Sequence, residues 1–238
     1  MTGGFRFWAK PNTIRLRPWK AVPFTNGDRR TWFDIVVYLA LMATVLVALV
    51  LPGVPSESLA KALPDNISGL VDPALFVAPI ILFVLIGLRD KTIFLAGRGE
   101  QYLPALIFFA TLPFVNMIIA GKLLIGTVWF WAGVSKFGLH FTNVIPPMVS
   151  NSPAIPFKWL KRAHYRNFPE DLRPSHLATF MAHGPGSIVE IAAPLALLFS
   201  PWPWLSIAAA AIMVSFHLFI ISTFPLAVPV EWNVLFAY

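Results

Sequence analysis

The segment VWFWAGVSKFGLHF, residues Val128 to Phe141, decides the class of this protein. It is apolar enough to help cross a bilayer, yet it carries Lys136 and His140. An ionisable group in hydrocarbon costs about 3 kcal/mol on insertion scales, so it normally has a partner or a function. The spacing predicts that both side chains share one helix face with three further residues, Gly126, Trp129 and Gly133. Because glycines let a second helix approach, the charge is predicted to face protein rather than lipid.

The composition indicates a polytopic membrane protein. Hydrophobic residues make up 57% of the 238 residues and charged residues only 12%, proportions that a soluble domain could not keep in solution. The absence of cysteine from the sequence excludes disulfides, thiolate metal sites and thiol redox chemistry within this chain. The net charge of +7 does not indicate nucleic-acid binding, because the basic residues cluster in loops beside apolar segments.

Six apolar stretches are each near the length that spans about 30 Å of hydrocarbon. They are Trp32–Leu51, Leu70–Leu88, Tyr102–Ala120, Leu123–Phe141, Gly184–Phe199 and Leu205–Phe224. The third and fourth stretches run together with almost no polar break, and one helix from Tyr102 to Phe141 would be about 60 Å long. A turn is therefore predicted at Asn116, Gly121 and Lys122. The predicted fold class is therefore all-α, a polytopic integral membrane helix bundle of about six transmembrane helices. Glu231–Tyr238 reads as the start of a seventh helix that is too short to span. Either the protein continues beyond residue 238, which is the favoured interpretation, or this tail packs as a half-helix.

The distribution of basic residues predicts the topology. In residues 1–31 one acidic residue, Asp28, accompanies seven basic residues: Arg6, Lys10, Arg15, Arg17, Lys20, Arg29 and Arg30. We expect a cytoplasmic basic segment over 1–31, in contact with anionic headgroups, and a transmembrane domain over 32–238. The basic loop 142–182 is also predicted to be cytoplasmic. The protein is then a multi-pass plasma (inner) membrane protein with a cytoplasmic N-terminus.

Three titratable groups are predicted to share one layer of the bundle. Lys136, Glu190 and His217 each lie about 7–10 Å from the predicted cytoplasmic end of their helix. A Lys136–Glu190 ion pair is the economical interpretation. The pair either joins neighbouring helices or forms a proton-accepting or anion-coordinating site. The fifth helix places one face at His183, Ser187, Glu190 and Pro194.

A metal site is not predicted. His183 and Glu190 are seven residues apart, about 10.5 Å along a helix axis, whereas ligands on one helix typically lie three or four apart. Lys136, one turn from His140, would also repel a divalent cation. His217 alone is more typical of a hydrogen-bonded core histidine than of a ligand. The stretch AHGPGS, Ala182–Ser187, is interpreted as the glycine- and proline-punctuated start of a helix.

Three stretches resemble a known family. They are FWAKPNTIRLRPW (Phe7–Trp19), AGVSKFGLHFTNVIPPMVSNSP (Ala132–Pro153) and EWN (Glu231–Asn233). They look like the actinobacterial transmembrane family catalogued as domain of unknown function 3556, whose members are longer at both ends. A more distant likeness is to DoxX-type and HTTM-type membrane proteins, in which a Gly-x-x-Lys helix precedes one with a glutamate. The DoxX likeness implies quinol-linked redox complexes, and HTTM relatives include the vitamin K-dependent carboxylase.

Two classes of function are compatible with these patterns. In the leading hypothesis the protein is a non-catalytic subunit or scaffold that binds lipid and other membrane subunits. In the alternative it is an enzyme or carrier for a quinone-like or lipid substrate. Glu190 or His217 is then the base, and Lys136 holds an oxyanion. The sequence identifies neither a substrate nor a cofactor.

Overall fold

The computed structural model describes residues 8–65 and 69–223, which are mostly helical. The chain divides into two compact units, Met1–Leu124 and Ile125–Tyr238, with the boundary inside one long helix. The boundary between these units differs from the predicted boundary between a basic segment, 1–31, and a transmembrane domain, 32–238. Residues 8–31 belong to the same compact unit as the helices that follow them. The predicted seventh helix start at Glu231–Tyr238 lies outside the described residues.

The first unit is built mainly from helices. In its described part these are α1 (Trp32–Val50), α2 (Glu57–Ala62), α3 (Val77–Arg89), α4 (Lys91–Ala96), α5 (Gly99–Thr111) and the start of α6 (Phe114–Ser135). A 3-10 turn, Pro73–Phe76, leads into α3. Its core is a cluster of buried side chains from three of these helices, Val37, Tyr38, Leu41, Phe83, Ile86 and Ile93.

Helix α1 begins where its first backbone donors find acceptors. The Thr31 backbone N–H and side-chain hydroxyl both donate to Asp34 Oδ2 over 2.8 Å, which satisfies a donor that the helix leaves unpaired. The helix ends at Val50, and Leu51 has an extended backbone followed by Pro52. Proline cannot continue the helix, so the chain leaves it at this point.

The turn predicted at Asn116, Gly121 and Lys122 is wrong, because α6 runs unbroken through all three residues. The chain instead turns at Leu112, which is extended at φ −100° and ψ 145° and precedes Pro113. A residue before proline is driven out of the α region by the proline ring. A single glycine within a long apolar helix costs only about 1 kcal/mol, so Gly121 does not break it.

Four helical segments of the described residues are long and apolar enough to cross a membrane. They are Trp32–Val50, Phe114–Ser135, His176–Phe199 and Pro203–Thr223. The apolar segment Pro73–Arg89 is shorter than these four, and α5 has only 13 residues. The described helices that are long enough to span therefore number four, fewer than the six spans predicted. The helix at the predicted third span ends early, at Thr111, because the chain turns at Leu112 before Pro113. The fifth begins earlier than predicted, at His176 rather than Gly184.

The second unit contains the rest of α6 and the end of the described chain. Its further elements are α7 (Ile145–Asn151), α8 (Lys158–Ala163), β1 (Tyr165–Asn167), β2 (Asp171–Pro174), α9 (His176–Met181), α10 (Ser187–Phe199) and α11 (Pro203–Thr223). A 3-10 turn, Leu139–Asn143, precedes α7, and a π-helical turn, Ala182–Gly186, joins α9 to α10. The core of α10 and α11 contains Ala193, Ala209 and Met213.

Strands β1 and β2 form an antiparallel hairpin within the predicted cytoplasmic loop. Arg173 Nη2 lies 2.7 Å from Asp171 Oδ2, and the same carboxylate accepts from the Arg173 backbone N–H. The hydrogen bonds from Arg173 lower the pKa of the Asp171 carboxyl to about 2. Both side chains are solvated, so their pairing orders the hairpin locally and contributes little to the stability of the whole protein.

Candidate functional site

Lys136 directly follows the last residue of α6, and its side chain points toward Glu190 of α10. Its backbone N–H donates to Gly133 O over 3.1 Å. Its Nζ lies 2.6 Å from Glu190 Oε2, and the two side chains are 12% and 7% exposed. The ammonium also lies 5.2 Å from the ring centroid of Phe141 and 5.0 Å from that of Phe216. A carboxylate and two aromatic faces therefore surround the charge.

Glu190 is held in place by close packing between α6 and α10. A Cβ added to Gly133 would lie 3.1 Å from Glu190 Cβ and 2.7 Å from Ile191 Cγ1. Glycine is therefore needed at this crossing, as in other membrane helix pairs whose backbones approach closely. One turn before Glu190, the buried Ser187 hydroxyl donates to Ala182 O over 2.9 Å. Ser187, Glu190 and Pro194 are all buried in α10.

His217 lies in the buried face of α11. Its Nδ1 is 2.8 Å from Met213 O, and its ring centroid is 5.8 Å from that of Trp129. A carbonyl oxygen can only accept, so Nδ1 carries a hydrogen and donates it to Met213 O. The ring is thus oriented by its own helix and packed against an indole from α6.

His140 does not share a helix face with Lys136, and that prediction is wrong. Helix α6 ends at Ser135, and His140 lies in the following 3-10 turn with an exposed side chain. The chain leaves the helix in a turn that contains Gly138, so the four-residue spacing no longer places the two side chains on one face. His140 is therefore separate from the buried pair.

His183 lies in the π-helical turn that widens the backbone before Ser187. Its ring centroid is 6.4 Å from that of Phe137. Among the described residues, no hydrogen-bond partner reaches its buried Nε2. The extra residue of a π turn changes the register, so the regular spacing predicted from His183 to Pro194 is interrupted within Ala182–Gly186. The predicted ordinary helix start at AHGPGS is thus replaced by a π turn inside a longer helical segment.

The chemistry available to this cluster is that of an ion pair beside a buried histidine. Lys136 can hold a negative charge, and Glu190 and His217 Nε2 can accept a proton. Within residues 8–65 and 69–223, no group of three or more histidine, aspartate or glutamate side chains is arranged to hold a metal ion. The described cluster offers acid–base and electrostatic chemistry.

A second charged cluster, in the first unit, was missed by the sequence reasoning. Asp34 Oδ1 accepts from Arg89 Nε over 2.6 Å, and Asp90 Oδ2 accepts from Arg30 Nε over 2.7 Å. Arg15 is also buried, 3.8 Å from Asp34 at its closest nitrogen. A signal was present, since Asp34 and the Arg89–Asp90 dipeptide stand at the ends of apolar stretches.

Arg15 fixes the N-terminal segment onto the helices. Its guanidinium donates to the backbone oxygens of Arg89, Thr25, Asn26 and Gly27 over 2.9 to 3.2 Å. Because these acceptors are backbone atoms, the interaction depends on local chain geometry rather than on a recognisable motif. Arg15 and Arg30 are thus used inside the protein, whereas Lys20 and Arg29 remain exposed for the predicted contact with headgroups.

The fold and the buried charges define a multi-helix membrane protein, and comparison with known proteins gives its family. The whole chain, residues 1–238, matches the family described as transmembrane protein of unknown function (DUF3556). The chain belongs to this family. No curated protein and no solved structure matches the chain.

Proposed function

We propose that the protein is a non-catalytic, lipid-contacting subunit or scaffold of a larger membrane complex. The observation that supports this proposal is the internal use of the charges. Lys136 and Glu190 neutralise each other, 2.6 Å apart, at a crossing where Gly133 leaves no room for even one added carbon. Buried polar groups in membrane bundles commonly join helices in this way.

The apolar helix faces are the second support. Helix α6 buries only Gly126 and Gly133 among its 22 residues, and Trp131 is 61% exposed. In a bilayer such faces contact lipid chains or other transmembrane helices. We place the N-terminus and the loop 142–182 in the cytoplasm of a plasma-membrane protein, with the exposed Lys20, Arg29 and Lys158 on anionic headgroups.

The test compares near-isosteric changes in the buried cluster with a change on an exposed face. His217→Asn keeps shape and most hydrogen bonds, so folding, assembly and complementation of a deletion strain should persist. Glu190→Gln leaves the buried Lys136 ammonium without its anion and should lower stability, but the protein that does fold should still assemble and complement. Trp131→Lys should leave the protein folded but reduce the size of its complex in mild-detergent native gels, because it puts a charge on a contact face. A Glu190→Gln protein that folds and assembles, yet fails to complement, would overturn the proposal.

The alternative hypothesis of an enzyme or carrier for a quinone-like or lipid substrate is favoured by one specific observation. The π-helical turn Ala182–Gly186 lies directly before Ser187 in the helix that carries Glu190, and π turns occur frequently at functional sites. In this hypothesis Glu190 or His217 accepts a proton and Lys136 stabilises an anion. His217→Asn then abolishes complementation while abundance and assembly stay normal, because the amide does not accept a proton at physiological pH. In a scaffold the same variant complements.

A further inference from the structure

A pocket of about 520 Å³ lies at one end of the first unit. Its walls come from the last turns of α1, the 3-10 turn before α3, the end of α5 and the first turn of α6. The charged cluster around Asp34 lies at the opposite end of α1, about 20 Å away at 1.5 Å per residue. The core side chains Val37, Ile86 and Ile93 lie beside the charged cluster, and the pocket lies toward the other end of α1.

Residues 53–58 and 69–71 form the rim of the pocket, and Ser56, Ser58, Leu70 and Val71 line it. Val54 and Leu70 pair through two backbone hydrogen bonds of 2.7 and 3.0 Å. The paired backbones approach so closely that a Cβ on Gly53 would lie 2.7 Å from the Gly69 carbonyl carbon. The Ser58 hydroxyl accepts from the Phe114 backbone N–H over 3.1 Å, which attaches this segment to the start of α6. Hydrogen bonds therefore hold the rim of the pocket in place.

The lining of the pocket is almost entirely apolar. Apart from Ser56 and Ser58, whose hydroxyl oxygens are 3.1 Å apart, every lining residue has a hydrocarbon, aromatic or thioether side chain. A volume of this size falls within the range of about 300–1,000 Å³ that small-molecule pockets occupy. A largely apolar cavity does not hold water well, since water needs two to four polar partners. The lining therefore selects a hydrocarbon ligand.

The position of the pocket indicates where that hydrocarbon comes from. Val45 and Leu49 lie in the last turns of one helix long enough to span a membrane, and Met117 lies in the first turn of another. The pocket is thus at a membrane boundary, where lipid chains end in polar groups. We infer that it binds the long acyl chain of a membrane lipid, with the polar end of the lipid at Ser56.

Photolabelling of the full chain tests this inference. The protein is placed in phosphatidylethanolamine and phosphatidylglycerol bilayers that contain a trace of phospholipid with a diazirine near the end of one acyl chain. Labelled peptides are then mapped by mass spectrometry. We expect the label to concentrate on α1 and α5. Ala48→Trp, which fills the pocket, should reduce it about tenfold, the change that ~1.4 kcal/mol of binding free energy produces.

Ala43→Trp is the matched control, because Ala43 is exposed in the same helix and does not line the pocket. Label at the pocket should persist in this variant. Leu106→Trp fills the pocket from α5 and serves if Ala48→Trp does not fold. Label spread evenly over the exposed helix faces, or unchanged in both filling variants, overturns the inference. Displacement by a long-chain quinone but not by excess phospholipid overturns the assignment to an acyl chain.

Discussion

Arg30 Nε lies 2.7 Å from Asp90 Oδ2, and both side chains are almost completely buried. The contact joins residues that are sixty positions apart and attaches the N-terminal segment to the junction of α3 and α4. Asp90 also accepts from the Thr92 backbone N–H over 3.0 Å at the start of α4. One carboxylate therefore caps a helix and holds a distant arginine.

Removal of the Arg30 guanidinium should strongly destabilise the first unit. Arg30→Met leaves the Asp90 carboxylate buried without its cation, a change that typically costs about 3–5 kcal/mol. The free energy of unfolding can be measured by titration with SDS in detergent micelles, followed by tryptophan fluorescence. Arg29→Met is the control, since Arg29 is exposed and its loss should change stability by about 0.5 kcal/mol or less. Equal losses in the two variants would contradict the buried role of Arg30.

The difference between these two adjacent arginines also shows where sequence reasoning stops. Hydropathy predicted the apolar segments because burial in lipid follows composition over a window of about 20 residues. It missed the break at Pro113, since that residue stands within a continuous apolar run. The partners of Arg15 and Arg30 are distant in sequence and include backbone oxygens, so no periodic pattern marks them.

The buried pair of the second unit was more accessible to prediction. Depth along each helix selected Lys136 and Glu190, because a buried charge in an apolar segment requires a partner. The same spacing argument failed for His140, since it assumed that α6 continues beyond Ser135. It also could not detect the π turn at His183, whose register shift depends on backbone geometry.

The close crossing of α6 and α10 leads to a prediction about two glycines of one helix. Gly133→Ala places a methyl group against Ile191 and Glu190, and overpacking of this kind costs about 1–3 kcal/mol. At Gly121 an added Cβ meets nothing within 4 Å, so Gly121→Ala should be neutral or stabilise the helix. The midpoint temperatures of thermal unfolding in detergent compare the stabilities of the two variants. A Gly133→Ala protein as stable as Gly121→Ala would mean that the crossing is looser than the structure describes.

The proposed topology can be tested with single cysteines, because the native chain has none. Asn12 and Asn167 are exposed positions in the two segments proposed to be cytoplasmic, and Glu57 is exposed in the segment between α1 and α3. In intact cells an impermeant thiol reagent should label Glu57→Cys and spare the other two. All three should react after the membrane is opened. Labelling of Asn12→Cys or Asn167→Cys in intact cells would mean that this segment lies outside the cell and that the proposed topology is wrong.

The pairing of Lys136 with Glu190 predicts strong coupling in a double-mutant cycle. Lys136→Met alone leaves a buried carboxylate without its cation and should destabilise the protein by about 3–5 kcal/mol. Glu190→Gln removes that carboxylate, so the double variant should recover much of the loss. The expected coupling energy is about 3 kcal/mol, measured from SDS unfolding of the four proteins. Strictly additive losses would mean that the two side chains do not interact, and the proposed internal neutralisation of the cluster would have to be abandoned.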